Sequence, residues 1–219
     1  MPNLCDYTMK IVGEKEKIAT LIKYLQNDYW YVEDENSYRP TEEQIRKYSL
    51  CYEEDNWKLY TNAEKHFYRV FSACPDEKDG EIIYQKSSDG RWETYVCGDC
   101  AWSVAACMMD SFLSYYSQSR NEPLREHGTT LEIESKELDL DVEVVSAEPG
   151  CCFSEHYLYK NGELLADECF DYQEYCLDDF ETKEEAEKEY GISITDDEWE
   201  KKGYISRGEI NPYDPEWSI

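Results

Sequence analysis

Fifty aspartates and glutamates against 22 lysines and arginines leave this 219-residue chain with a formal charge of −28. Any fold it adopts must turn carboxylates outward almost everywhere, because an ionised group is too costly to bury unpaired. The apolar interior has to come from other residues. Twenty Tyr, six Trp and six Phe supply much of it, since each ring carries a large apolar area. An aromatic share of 15% separates the chain from acidic disordered sequences, which are poor in such residues. The combination reads as a folded protein with an acidic skin. That skin repels nucleic-acid phosphates and anionic membrane surfaces, so the partners it admits are cationic. The acidity is also concentrated. Residues 161–219 hold 19 Asp/Glu and five Lys/Arg, a net of −14 and half of the total.

Hydrophobic periodicity divides the chain into elements. Cys5, Tyr7, Met9 and Ile11 alternate along 4–12 and predict a half-buried strand, ended by Gly13. Ile18, Leu21, Ile22 and Leu25 recur at helical spacing and predict a helix over about 14–27. Residues 28–65 are rich in Tyr and acids and read as an irregular insertion. It contains one short helix, marked by Pro40 and the capping box Thr41–Gln44. A second strand follows over His66–Ala73. Asp89-Gly90 signals a type I′ hairpin that would set Lys86 opposite Glu93 and Tyr84 opposite Tyr95. A second helix is expected over 101–118, with Val104, Cys107, Met108 and Leu113 inward. A shorter one runs from the capping box Thr129–Glu132 to Leu138, and another strand covers 141–147.

Asn161-Gly162 marks a further hairpin over 153–172. Counting outward pairs Tyr159 with Leu164, Phe153 with Phe170 and His156 with Asp167, and leaves a like-charge conflict between Glu155 and Glu168. Two boxed helices close the chain, Thr182–Glu185 ending at Gly191 and Thr195–Glu198 ending near Gly203. Strand–helix–strand–strand–helix–strand over 4–147 is the order of the ferredoxin-like fold. The expected class is therefore α+β: an antiparallel sheet with helices on one face, extended by a β-hairpin and acidic C-terminal helices. The ferredoxin-like core would span 1–150 with its insertion at about 28–65. Residues 151–219 would pack on it as one unit.

Several constellations carry possible chemistry. Cys97-Gly98-Asp99-Cys100 follows a strand and opens the expected second helix, where a helix N-terminus lowers a thiol pKa in redox motifs. However, the strand that a thioredoxin-like domain needs after its first helix is missing from 119–128. A zinc site would recruit Cys97, Cys100, Cys152 (or Cys151) and His156, although an adjacent cysteine pair is a poor second half for it. Cys152, His156 and Asp167 imitate a nucleophile–base–orienter set, which an exposed hairpin ladder would leave inert. Neither GxxxxGK[ST] nor GxGxxG occurs, so no nucleotide cofactor is expected. No apolar run approaches a membrane span and no export signal stands out, so ten cysteines read as reduced thiols of a cytoplasmic protein. The candidate partner-binding face comprises Asp167, Glu168, Asp171, Glu174, Asp178, Asp179, Glu184, Glu185, Asp196 and Asp197. Carboxylates spaced along rigid elements can occupy a basic groove that normally holds phosphates, and interleaved Tyr and Trp side chains are good interface anchors.

One stretch carries a family resemblance. Cys100-Ala101-Trp102-Ser103-Val104, then Cys107-Met108-Met109, Glu143-Val144, and Ser146 to Phe153 followed by Glu155-His156-Tyr157 resemble an uncharacterised family with a ferredoxin-like domain (the YubB-like group). The start Pro2-Asn3-Leu4-Cys5 is similar as well. The family occurs in phages, plasmids and mobile elements of gut bacteria, and the likeness covers about 1–27 and 95–165. It implies the fold and a mobile-element setting, and it transfers no catalytic residue. The expected function is a non-enzymatic acidic inhibitor that occupies the nucleic-acid-binding surface of a CRISPR or restriction nuclease. The alternative is a thiol or zinc protein using Cys97, Cys100 and Cys151/Cys152.

Overall fold

A computed structural model describes residues 4–27, 51–53, 58–60, 65–109, 128–208 and 215–219. The expected helix at 41–44, Leu113 with the distal part of the second helix, and His127 lie outside the described residues. The fold is α+β, built on one mainly antiparallel, curled sheet of eight strands. Strand β1 (Leu4–Gly13) occupies the middle. It pairs on one side with β8 (Trp92–Ala101) and on the other with β9 (Asp141–Glu148). Strand β4 (Val70–Pro75) continues the sheet beyond β8, and β7 (Gln85–Lys86) also pairs with β8. On the other side β10 (Phe153–Lys160), β11 (Glu163–Cys176) and β12 (Tyr204–Gly208) follow in turn. Two ribbons stand apart: β2 (Cys51–Glu53) with β3 (Lys58–Tyr60), and β5 (Glu77–Lys78) with β6 (Glu81–Ile82). The first lies in the stretch read as irregular, so that segment carries a strand pair.

Helix α1 (Lys15–Gln26) buries Ile18, Leu21, Ile22 and Leu25, the expected stripe. It meets Cys5, Tyr7, Met9 and Ile11 of β1 in the main hydrophobic core. Each such side chain contributes about 1.5–3 kcal/mol relative to exposure. Helix α2 (Val104–Met108) and helix α3 (Leu131–Leu138) add Val104, Cys107, Met108 and Leu131 to the same core. Thr130, one residue later than expected, is the N-cap of α3, and Thr129 instead turns its hydroxyl to the buried Glu134. No helix among the described residues is long and apolar enough to cross a membrane.

Both hairpin registers differ from the sequence count, each for a definable reason. At the first, Gly90 has φ +87° while Asp89 does not adopt positive φ, so a type I′ turn cannot form. Ser87 N–H donates to Arg91 O at 3.1 Å and closes a three-residue loop with glycine in the left-handed position. That loop shifts the pairing by one, to Gln85 with Glu93 and Lys86 with Trp92. At the second, Asn161 (φ 49°) and Gly162 (φ 80°) do form the expected I′-type turn, and Tyr159 faces Leu164. A β-bulge next to Tyr159 then offsets the rest. His156 faces Glu168 instead of Asp167, Phe153 faces Asp171, and Glu155 faces Cys169, which removes the like-charge conflict.

Gly98 lets β4 and β8 come close. The Tyr7 hydroxyl passes over it to donate to Ser72 O at 2.8 Å, and a Cβ on Gly98 would stand 2.0 Å from that oxygen. Gly98→Ala should therefore lower stability by about 1–3 kcal/mol, read as a lower urea midpoint at unchanged slope. Tyr7→Phe, which removes only the hydroxyl, should cost about 1 kcal/mol.

Candidate functional site

The acidic C-terminal part is a small unit with its own apolar centre. Helices α4 (Lys183–Tyr190) and α5 (Asp196–Lys201) pack with β12 and the end of β11 around Leu177, Ala186, Ile194 and Ile205. Thr182 and Thr195 cap the two helices as expected, and only Thr195 with Glu198 forms the reciprocal box. Tyr190 stacks against Tyr175 and Phe180 with centroids 4.8 and 5.1 Å away. Lys183 bridges the helices to Asp196 at 2.7 Å, and Arg207 of β12 holds Glu198 at 2.8 Å. The Arg207 guanidinium and the Thr195 N–H together hold the Glu198 carboxyl at about 2.

Nine of the ten expected face residues are exposed: Asp167, Glu168, Asp171, Asp178, Asp179, Glu184, Glu185, Asp196 and Asp197. Glu174 is half-buried and accepts a hydrogen bond from the Tyr172 hydroxyl at 2.7 Å. They do not all point one way. Alternation along β11 sends Asp167 and Asp171 to one face of the sheet and Glu168 to the other, where it meets His156.

The structure does not gather the thiol and zinc candidates. Cys97 and Cys100 lie inside β8 and not at a helix start, so their odd spacing directs them to opposite faces. Cys100 is fully buried, and its hydrogen-bonding neighbours Cys107 and Cys5, together with burial, push its thiol well up. Cys97 is exposed, 3.7 Å from the Thr8 hydroxyl. Cys152 sits in the β9–β10 turn at φ 60° and points its thiol to Pro149 O. No group of three or more potential metal ligands forms among the described residues.

His156 belongs to a different constellation, on the sheet face away from helices α1–α3. Its Nε2 lies 2.8 Å from Glu143 Oε1 and its Nδ1 2.8 Å from Glu168 Oε2. Both ring nitrogens are therefore engaged by carboxylates, and the nucleophile–base pairing with Cys152 is not formed. Residues 215–219 lie against the same face. Ser218 and Ile219 N–H donate to Glu143 Oε2 at 2.7 and 3.1 Å, Lys10 donates to Ile219 O, and Trp217 packs on Tyr95 with centroids 5.9 Å apart. Lys10 also pairs with Glu93 at 3.1 Å. The hydrogen bond to Glu143, reinforced by the one to Glu168, raises the His156 pKa against the effect of burial. Burial alone would raise Glu143, but the bonds from His156 and Ser218 outweigh it and leave that carboxyl lowered. Sequence reasoning missed Glu143, Lys10 and residues 215–219, because nothing local marks a strand residue as facing a distant tail.

Glu155, on the helix-bearing face, is buried. It accepts from Val104 N–H at 2.9 Å, Ser146 Oγ at 2.9 Å and Tyr157 Oη at 3.0 Å, fastening the start of α2. Comparison of the chain with protein-family models, curated proteins and solved structures gives no match in any of the three.

The paired His156 and Glu143 make stability pH-dependent on both sides. The contribution of His156, whose pKa rises on folding, is complete below the ordinary 6.5 and is lost as pH climbs through the folded value. That of Glu143, whose pKa falls, is complete above the ordinary 4.5 and is lost as pH drops through the folded value. The stability difference between wild type and His156→Gln should be largest between these two values and shrink on either side, as read from urea midpoints across pH. His156→Ala should cost about 2–3 kcal/mol, because it leaves the buried Glu143 carboxylate without its cation.

Proposed function

We propose that this chain is a non-enzymatic acidic binding protein of a phage or other mobile element. Its C-terminal unit would occupy the basic, nucleic-acid-binding surface of a host defence enzyme, such as a CRISPR or restriction nuclease. The observation that carries the reading is the set of nine exposed carboxylates held on β11, the turn after it and two capped helices, beside a separate apolar cluster. Carboxylates fixed in this way lose little freedom on docking and present a lasting negative field that speeds encounter with a basic groove. Exposed aromatic surface nearby, with Tyr204 at 74% exposure, offers an anchor of the kind interfaces prefer.

The core reading is ferredoxin-like. The adjacent order β9-β1-β8-β4, antiparallel throughout, supports it, with β7, β10, β11 and β12 as additions. The resemblance to the YubB-like group motivates the mobile-element setting.

The test is a native-gel and pull-down panel of purified nucleases at low salt, followed by a salt titration of any complex. Affinity should fall steeply as ionic strength rises, because exposed charge contacts are screened. Combining Asp171→Asn, Asp179→Asn, Glu184→Gln and Glu185→Gln, which avoids the ion pairs above, should weaken binding at least about tenfold. A complex that persists unchanged in high salt, or that ignores this variant, would sink electrostatic occupancy of a basic groove.

A further inference from the structure

We propose that Cys74 and Cys97 form a redox-modification site, which a low-molecular-weight disulfide converts to a cross-strand disulfide joining β4 to β8. The Cys97-x-x-Cys100 motif lies in a strand, so each of its thiols has a neighbour on an adjacent strand and not in the motif itself. Cys97 stands directly opposite Cys74 on β4, and Cys100 directly opposite Cys5 on β1. Opposed residues of an antiparallel pair share a face, with Cα atoms about 4.5 or 5.5 Å apart according to the hydrogen-bonding pattern. Either separation lies inside the range of roughly 4.4–6.8 Å that a disulfide spans. Strand β8 therefore carries two in-register cysteine pairs, one on each face.

Exposure separates them. Cys5 and Cys100 are fully buried, and the hydrogen bonds among Cys5, Cys100 and Cys107 keep the Cys100 thiol protonated. A thiol in that state is neither a nucleophile nor within reach of an oxidant. Cys74 and Cys97 are both exposed. The irregularity in β4 falls between Val70 and Ser72, so the pairing at Cys74 is regular. By contrast, the exposed Cys169 faces Glu155 across β10 and β11. In the reduced protein the Cys97 sulfur leans toward Thr8 of β1 at 3.7 Å. One change of its χ1 rotamer turns it toward β4 at the loss of that weak contact.

The chemistry is two thiol–disulfide exchanges. One protein thiolate attacks the oxidant's S–S bond, forming a mixed disulfide and releasing one small thiol. The second protein thiolate attacks the protein sulfur of that mixed disulfide, closing the Cys74–Cys97 bond and releasing the other small thiol. The protein loses two electrons and two protons, which the oxidant carries away as its two thiols. The product pins the edge strand β4 to β8 and closes a loop over the β5–β6 ribbon and β7.

The full-length reduced protein is incubated with oxidised glutathione, quenched with a maleimide and mapped as non-reduced peptides. The expected result is a Cys74–Cys97 linked peptide without retained glutathione, and a Tm raised by roughly 5 °C. Cys74→Ser should fold as the wild type does by circular dichroism. It should leave Cys97 trapped as a glutathione adduct, since nothing resolves it. In urea the preference for this pairing should vanish and Cys5 and Cys100 should react. Recovery of Cys74 and Cys97 only as separate glutathione adducts overturns the proposal. Predominance of any other cysteine pairing in the folded protein overturns it equally.

Discussion

Everything in this protein hangs from the double pairing of β1. The strand is bonded along both edges, from Leu4 to Gly13 against β8 and from Asp6 to Val12 against β9. A strand held on both sides cannot slip, because a shift of one residue would exchange its two faces. With β1 fixed, Cys5, Tyr7, Met9 and Ile11 meet the helices, and Asp6, Thr8 and Lys10 are committed to the far side. The close crossing at Gly98, the cysteine pairings on β8 and the placing of Lys10 beside Glu93 follow from that register.

Ion pairs on the far side and at α3 show how so acidic a chain handles its few cations. Lys10 is tied to Glu93, Arg91 to Asp141, Lys65 to Glu134 and Glu137, and His156 lies between Glu143 and Glu168. Several of these carboxylates are buried, where each requires a compensating charge or donor. Basic residues committed to these pairs do not neutralise carboxylates elsewhere on the surface. Interior electrostatics and exterior field are therefore coupled through one small stock of Lys, Arg and His.

Much of the fold was legible in the sequence. The alternation in β1, the stripe of α1, the Asn161-Gly162 turn and the Thr caps of α4 and α5 are local signals that tertiary contacts did not override. What failed was register. A left-handed glycine in a three-residue loop and a bulge beside Tyr159 each displaced pairing by one, and neither leaves a mark that composition reveals. That single step replaced Asp167 by Glu168 at His156. Misplacing the end of β8 had a larger effect, since it turned a strand-borne Cys97-x-x-Cys100 into an apparent helix-start motif. Of the candidate site, the exposure of the acids was readable, while the contacts made by residues 215–219 depend on folding across the whole chain.

The C-terminal unit rests on four buried residues, Leu177, Ala186, Ile194 and Ile205, that take no part in the main core. Substitutions among its exposed acids leave the packing around β1 untouched. The cost of rearranging that charge layout is thus confined to the unit itself. A lineage could redraw its acidic pattern, gaining and losing carboxylates as an opposing surface changes, while the sheet beneath stays under ordinary purifying selection. Homologues should then diverge fastest where the field is strongest.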